Sequence, residues 1–267
     1  MSSNINKISE IRARAAHPNH MYAYCRVIGC GRPARAGTST GLDTRYCRVH
    51  ADHLSRHGSA YKGSYLAKVI NPYRRAALDW LLVHGDLFWV KDAVGKVEGL
   101  YHGGGPHIEA FRLPGLKPRE RGKAQWARLR HHEVDPRLVV AVWLAVEMVI
   151  GDDLQPVSTS QYKRVQAAKV VHRMASGTHK SWEQERPHPA HPGLPPIVHI
   201  QKLSWYPKSR GRVLRYIGED LERAAELLVD HHLEEVREYK RERDSQGKPA
   251  TRPYPKGIRA RGRRMGT

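Results

Sequence analysis

The sequence predicts a mostly α-helical protein with a small zinc knuckle near its N-terminus, a short β-wing and a basic, disordered tail. All three cysteines of the 267-residue chain lie within 23 positions of each other, which indicates one shared metal site. The run from Leu138 to Ile150 is apolar on nearly all sides, so it is the predicted core helix. The last 21 residues, from Gly247, hold seven basic residues, no acidic residue and no apolar periodicity, a composition typical of disorder.

The cysteines and one histidine have the spacing Cys25-x4-Cys30-x16-Cys47-x2-His50. Three thiolates and an imidazole complete a tetrahedral zinc shell, which leaves no position for a catalytic water, so the predicted metal is structural. His53 and His57 are alternative fourth ligands, with a less compact spacing from the last cysteine. The 16 residues between the second and third cysteines favour a hairpin or loop, and a short helix after Cys47 is expected to end at Gly58.

This stretch resembles a zinc-finger module found in bacteriophage proteins, especially at the N-terminus of HNH-type homing endonucleases. The resemblance covers residues 22–60 and implies a treble-clef-like knuckle that helps to hold DNA, with the same four ligands. Two features depart from the family: a long insert from Thr38 to Arg45, and Ala51 in place of an aromatic residue. The residues that carry the resemblance are Cys25-x-Val-x-Gly-Cys30, Arg32-Pro-Ala-Arg35-Ala, Cys47-x2-His50 and Arg56-His57-Gly58.

The catalytic half of an HNH nuclease is not evident in the sequence. That chemistry needs a histidine base, a second, metal-binding histidine and an asparagine that orients the base. The only asparagine after the knuckle is Asn71, which has no paired histidines at suitable spacing on both sides. We therefore predict no catalytic residue, and a nuclease with a divergent active site remains the alternative interpretation.

The body of the chain is predicted to be largely helical. Pro72 is expected to open a helix that stops near Gly85. Residues 87–90 fit a short strand or the start of a buried segment, and the glycine- and proline-rich residues 92–118 are predicted to be a loop. The basic segment 117–130 is expected to be helical from Arg119.

A helix is predicted from Gln161 to Ala175, with an N-cap in the Ser158-Thr-Ser160 run. Its apolar stripe should face the core. A second face offers hydrogen-bonding and cationic side chains of the kind that contact bases in a groove, although an ordinary exposed face would have the same composition. That face contains Tyr162, Gln166, Lys169 and Arg173.

The C-terminal third is predicted to hold a β-wing and a long helix. Val198 to Trp205 should be a strand that pairs with Arg212 to Tyr216 across a basic turn. The stretch from Glu219 to Arg243 has an apolar stripe at helical spacing, which either covers the core or pairs two chains as a homodimer through residues 219–243.

The charge of the chain predicts a polyanionic partner. The net charge is +20 and the isoelectric point is about 10.1, a balance that favours nucleic acid, here double-stranded DNA. The knuckle, the 161–175 helix, the wing and the tail supply the candidate contacts. These are Arg32, Arg35, Arg48, Arg56, Lys169, Arg173, Lys208, Arg210, Arg212, Arg259, Arg261, Arg263 and Arg264.

These patterns predict a zinc-stabilised DNA-binding protein, and the resemblance implies one of a phage or other mobile element, acting in regulation, replication, recombination or packaging. RNA binding or ribosome association is a further alternative. Residues 1–10 contain no hydrophobic signal region and no run approaches the roughly 20 residues of a membrane span, so we expect a cytoplasmic, nucleoid-associated protein without membrane contact. The predicted divisions are an extension (1–21), the knuckle (22–60), the helical body (61–185), a proline-rich spacer (186–196), the hairpin with the long helix (197–245) and the tail (246–267).

Overall fold

The computed structural model describes residues 24–34, 36–38, 41–175, 177–186, 196–207 and 211–247. Within these residues, two small strands precede seven α-helices, and a second strand pair lies between the last two helices. The strands are β1 (Ala36–Thr38), β2 (Gly41–Asp43), β3 (Thr178–Arg186) and β4 (Ile197–Trp205). The helices are α1 (Arg48–His57), α2 (Ala67–Val83), α3 (Phe88–Gly103), α4 (Pro118–His131), α5 (Pro136–Gly151), α6 (Ser160–Met174) and α7 (Arg212–Ser245), with a 3-10 turn at Leu113–Gly115.

The core is organised around α5, as the apolar run predicted. Twelve of its 16 residues are buried, and α2, α3, α6 and α7 pack around it. The Asp135 side chain caps its first turn by accepting a hydrogen bond from the Arg137 backbone N–H at 2.8 Å. Helix α6, capped by Thr159, and the long helix α7 complete the bundle, and both predictions are confirmed.

Two predictions about the body are wrong. Helix α2 begins at Ala67 rather than at Pro72, because Ile70 already contributes to the buried face and the missing N–H of proline removes only one backbone hydrogen bond. Residues 88–103, predicted to be strand or loop, form helix α3. Its side chains Val90, Ala93 and Val97 are buried at three- and four-residue spacing, and this packing outweighs the low helix propensity of its glycines.

The second strand pair corrects the predicted wing. Strand β4 pairs antiparallel with β3, from Thr178 opposite Trp205 to Arg186 opposite Ile197. Residues 212–216, the predicted partner, form the first turns of α7 because Val213, Leu214 and Ile217 fit a buried helical face. The proline-rich segment therefore lies between paired strands, and its residues 187–195 are outside the described ranges.

The apolar stripe of α7 packs on the chain's own core, where Leu221, Ala225, Leu228 and Val236 are buried. Homodimer formation through residues 219–243 thus remains a prediction that would need another face of this helix. Among the described residues, no helix has both the length and the apolar character that crossing a bilayer requires.

Candidate metal centre and nucleic-acid interface

The predicted ligands Cys25, Cys30, Cys47 and His50 converge on one point, with ligand atoms that all lie within 4.8 Å of one another. The sulfurs of Cys30 and Cys47 are 3.9 Å apart, and the Cys47 sulfur is 3.5 Å from His50 Nδ1. Zinc–sulfur bonds of about 2.3 Å at tetrahedral angles place two sulfurs about 3.8 Å apart, so the group fits a zinc ion. These four residues could hold one structural metal with a closed shell.

Two local structures position the ligands. In the first knuckle the backbone N–H of Cys25 donates to the Arg32 carbonyl at 2.9 Å, and Gly29 adopts φ +78° to turn the chain into Cys30. In the second, Cys47 is the N-cap of α1, and His50 follows on the same face one turn later. Strands β1 and β2 form the hairpin predicted between the two ligand pairs.

Backbone donors favour the thiolate form that a metal requires. Burial opposes ionisation of Cys47, but the N–H groups of His50 and Val49 donate to its sulfur and the net effect lowers the pKa of Cys47. At Cys30 the N–H of Arg32 acts in the same direction, while burial and the neighbouring thiols outweigh it and raise the pKa of that group. A bound dication removes the repulsion between adjacent thiolates.

The alternative ligands His53 and His57 serve a different purpose. His53 Nδ1 lies 2.8 Å from the Ser59 carbonyl oxygen, and His57 Nδ1 lies 2.9 Å from Ser64 Oγ. The two rings lie against each other with centroids 4.4 Å apart. Both histidines therefore fix the chain that follows α1 instead of joining the metal set.

The C-terminal end of α1 docks on α6 through a close backbone contact. Gly58 caps α1 in the left-handed conformation, at φ +79°. A Cβ atom on Gly58 would lie 2.8 Å from both the Gln161 carbonyl oxygen and Tyr162 Cα. The Gln166 amide donates to the His57 carbonyl at 2.9 Å, which satisfies a carbonyl at the helix end.

The contact between α1 and α6 covers most of the face of α6 that was predicted to read a DNA groove, so that prediction is corrected. Tyr162 and Gln166 are buried, and Lys169 is half-buried with its Nζ 2.7 Å from Ser64 Oγ. The face packs against the end of α1 and the loop after it, so only Arg173 at its far end is exposed. Polar side chains at helical spacing here bind the chain's own carbonyls, which the sequence pattern alone does not distinguish from solvent exposure.

Five cationic side chains lie along the junction of α1 with α6 and the start of α7. We call this set the basic stripe: Arg56, Lys169, Arg173, Arg212 and Arg215. Arg56, Arg173 and Arg212 are exposed. Arg215 donates to the Leu54 and Ser55 carbonyls, which places the start of α7 beside the end of α1. Sequence reasoning missed Arg215 because its position depends on this packing.

The stripe is cationic without local compensation. Burial, together with repulsion from Arg173 and Arg56, lowers the pKa of Lys169 to about 8. Burial and the charge of Arg212 likewise lower the pKa of Arg215. Within the described ranges none of the five residues forms an ion pair with a carboxylate, whereas most basic residues on α7 after Arg215 do. Such a surface attracts phosphate groups.

The other predicted nucleic-acid contacts divide into two groups. Arg32 and Arg48 are exposed beside the metal ligands, on the knuckle side of the molecule. The remaining candidates lie outside the described residues, and their contacts stay predictions: Arg35, Lys208, Arg210, Arg259, Arg261, Arg263 and Arg264.

No known family profile, no curated protein and no solved structure matches this chain. The resemblance of the knuckle to the HNH-associated module therefore remains an expectation from its motif. The side chain of Asn71, the one candidate for the orienting asparagine, accepts a hydrogen bond from Arg74 at 3.4 Å.

Proposed function

We propose that this protein binds nucleic acid, principally double-stranded DNA, through the basic stripe. The observation that carries the proposal is the convergence of α1, α6 and α7, which brings five cations from three distant segments together without a carboxylate partner in the described part of the chain. Arginine is well suited to this task because its fork of N–H donors matches two phosphate oxygens. Arg215 lies beside Gln161 at the start of α6. Arg173 lies about 18 Å further along the same helix, so the stripe is long enough to contact several phosphates.

In this proposal zinc supports the surface and takes no part in chemistry. Cys47 and His50 hold the first turn of α1, and Arg56 and His57 lie in its last turn. Metal binding therefore fixes the position of Arg56 in the stripe through a single ten-residue helix. The role in a phage or mobile element follows from the motif resemblance and belongs to the same proposal.

The test compares two double variants with equal charge change. Arg56→Gln with Arg173→Gln removes two exposed cations of the stripe, and Lys68→Gln with Arg241→Gln removes two exposed cations elsewhere. Binding to a fluorescent duplex of about 20 base pairs is measured by anisotropy across a salt series. Each lost phosphate contact lowers the slope of log K against log salt by about 0.9, so the stripe variant should lose about 2. Equal losses in both variants would show that net charge, and no particular surface, drives binding.

Structured RNA is the alternative ligand, and the same assay separates it. Duplex RNA of the same length, added as a competitor at equal concentration, should displace little of the DNA if the stripe is adapted to B-form duplex. Complete displacement at equal concentration would assign the protein to RNA instead.

One observation favours a second function, phosphodiester cleavage. The Ser64 hydroxyl lies between Lys169 Nζ at 2.7 Å and His57 Nδ1 at 2.9 Å. Burial and the nearby cations lower the pKa of His57 to about 4, so its imidazole is neutral at pH 7. His57 Nδ1 accepts a hydrogen bond from the Ser64 backbone N–H at 3.1 Å and lies within reach of the Ser64 hydroxyl proton. Plasmid nicking that Ser64→Ala abolishes while DNA binding persists would support this function, and absence of nicking by the unmodified protein with Mg²⁺ or Mn²⁺ would exclude it.

A further inference from the structure

The β3–β4 ribbon extends from the helical body and contacts it near one end. The Ala110 N–H donates to Thr178 Oγ1 at 2.8 Å, and Lys180 pairs with Glu109 and lies 5.6 Å from the Phe111 ring centroid. Beyond this point, in the described residues 181–186 and 197–202, no hydrogen bond or ion pair joins the ribbon to the body. We call this part the outer ribbon.

The two faces of the outer ribbon differ in chemistry. Side chains alternate between faces along a strand, and directly opposed residues share a face. One face lacks carboxylates and carries hydrogen-bonding groups, and we call it the amide face: Trp182, Gln184, Arg186, His199 and Gln201, with Ile197 at its end. The opposite face carries the two carboxylates of the outer ribbon, Glu183 and Glu185, together with Ser181, Val198, Ile200 and Lys202.

An isolated two-stranded ribbon is marginally stable in water and gains stability from a partner. Every side chain of β3 after Thr178 is exposed, and the Trp182 side chain, with half of its surface open to solvent, lies on the amide face. The exposed Trp182 ring and the side-chain amides of this face suit a ligand that offers hydrogen-bonding groups and planar surfaces.

We propose that the outer ribbon enters the major groove of duplex DNA and reads base edges with its amide face. This inference rests on the DNA-binding function proposed for the basic stripe. The major groove is about 12 Å wide and admits a two-stranded ribbon. The six residues of each strand in the outer ribbon, at about 3.4 Å each, give a length of about 20 Å, more than half of one turn of B-form DNA.

The residue types on the amide face match the groove. Glutamine pairs in bidentate fashion with adenine, and arginine with guanine, so Gln184, Gln201 and Arg186 can each contact a base. With this face inserted, Glu183 and Glu185 point away from the floor of the groove, which limits their repulsion by phosphates. The deep, narrow major groove of A-form RNA does not admit the ribbon, so the inference specifies DNA.

The experiment measures sequence preference separately from overall affinity. Duplexes selected by the full-length protein from a random library are sequenced, and affinity for the selected duplex is compared with affinity for a scrambled one. Gln184→Ala with Gln201→Ala removes two amide-face contacts, and Ser181→Ala with Ile200→Ala is the neutral control on the opposite face. The ratio of the two affinities should fall at least about tenfold in the first variant and stay within about twofold in the second, with the salt slope unchanged in both.

The outcomes separate this inference from the function on which it rests. Failure of the unmodified protein to bind any duplex would overturn both. Binding with an intact salt slope, but without sequence preference or with a preference that the glutamine variant retains, would overturn the ribbon inference alone. If sedimentation instead reveals a dimer in the absence of DNA that Trp182→Ala dissociates, the face belongs to a second copy of the chain and the inference is wrong.

Discussion

At the scale of single residues, Gly58 links the metal module to the helical body. We expect Gly58→Ala to destabilise the protein by about 2–4 kcal/mol, because the left-handed backbone costs about 1–2 kcal/mol for an L-residue and the new methyl group would overlap the backbone of α6. Urea unfolding followed by circular dichroism measures the change. Gly105→Ala is the control, since Gly105 has φ +77° and a methyl group there would have no other atom within 4 Å. A loss no greater than in this control would mean that α1 does not pack against α6 as described.

Cys47 also acts at the residue scale, because it is both a ligand and the N-cap of α1. The purified protein should contain about one zinc per chain, and Cys47→Ser should lose it together with the order of α1, since structural zinc supplies folding energy directly. Metal content by mass spectrometry and helix content by circular dichroism are the measurements. His53→Gln is the control and should retain its zinc, because His53 contacts the Ser59 carbonyl instead. Zinc retained by the serine variant, or lost equally from both, would contradict the ligand set.

At the scale of elements, one buried apolar stripe stabilises α7. Replacing a leucine by alanine on the buried face and on the exposed face of this helix tests that assignment. Leu221 is fully buried and Leu227 is 38% exposed. Leu221→Ala should cost about 2–5 kcal/mol through lost burial and a cavity, and Leu227→Ala less than about 1 kcal/mol. Equal costs in urea unfolding would mean that the buried stripe faces elsewhere, for example toward a second chain.

The elements predicted correctly from the sequence are those whose local residue pattern shows which of their faces are buried. Helix α5 is apolar on nearly every side, and α6 has a capping Thr159 followed by a regular buried stripe, so neither prediction needed knowledge of the neighbouring elements. Strand β3 contains a single large apolar residue, Trp182, and its exposed side chains give no alternation to detect. Its pairing with β4 depends on contacts across a proline-rich segment, which a local pattern does not contain.

The candidate site divides in the same way. The metal ligands were evident because thiolates and imidazole at this spacing have few other uses, and the structure brings all four together. The basic stripe was only partly foreseen. Arg56 was named from the knuckle motif and Arg173 from its helical spacing, but the position of Arg215 beside the end of α1 results from the packing of α7 against α1.

At the scale of the whole molecule, the buried His172 should make stability depend on pH. Burial first, and then the charges of Arg128 and Arg173, lower the pKa of His172 to about 4, compared with about 6.5 in an unfolded chain. Between these values the unfolded state binds more protons than the folded state, so the free energy of unfolding falls as the pH decreases. The stabilisation is present above a pH of about 6.5 and is lost progressively toward a pH of about 4.

His172→Phe removes this titration while keeping an aromatic ring at the buried position. Between pH 7 and pH 5 the unmodified protein should lose about 2 kcal/mol more stability than this variant in urea unfolding. His102→Gln, a change at an exposed histidine, is the control and should follow the unmodified protein. Acid also releases metal from thiolate ligands, but this loss is common to all three proteins, so the difference between their pH profiles isolates His172. Parallel profiles would mean that His172 is solvated or protonated in the folded state. In that case the packing of α6 between α5 and α7, which buries it together with the hydrogen-bonded Gln125, would be looser than the structure describes.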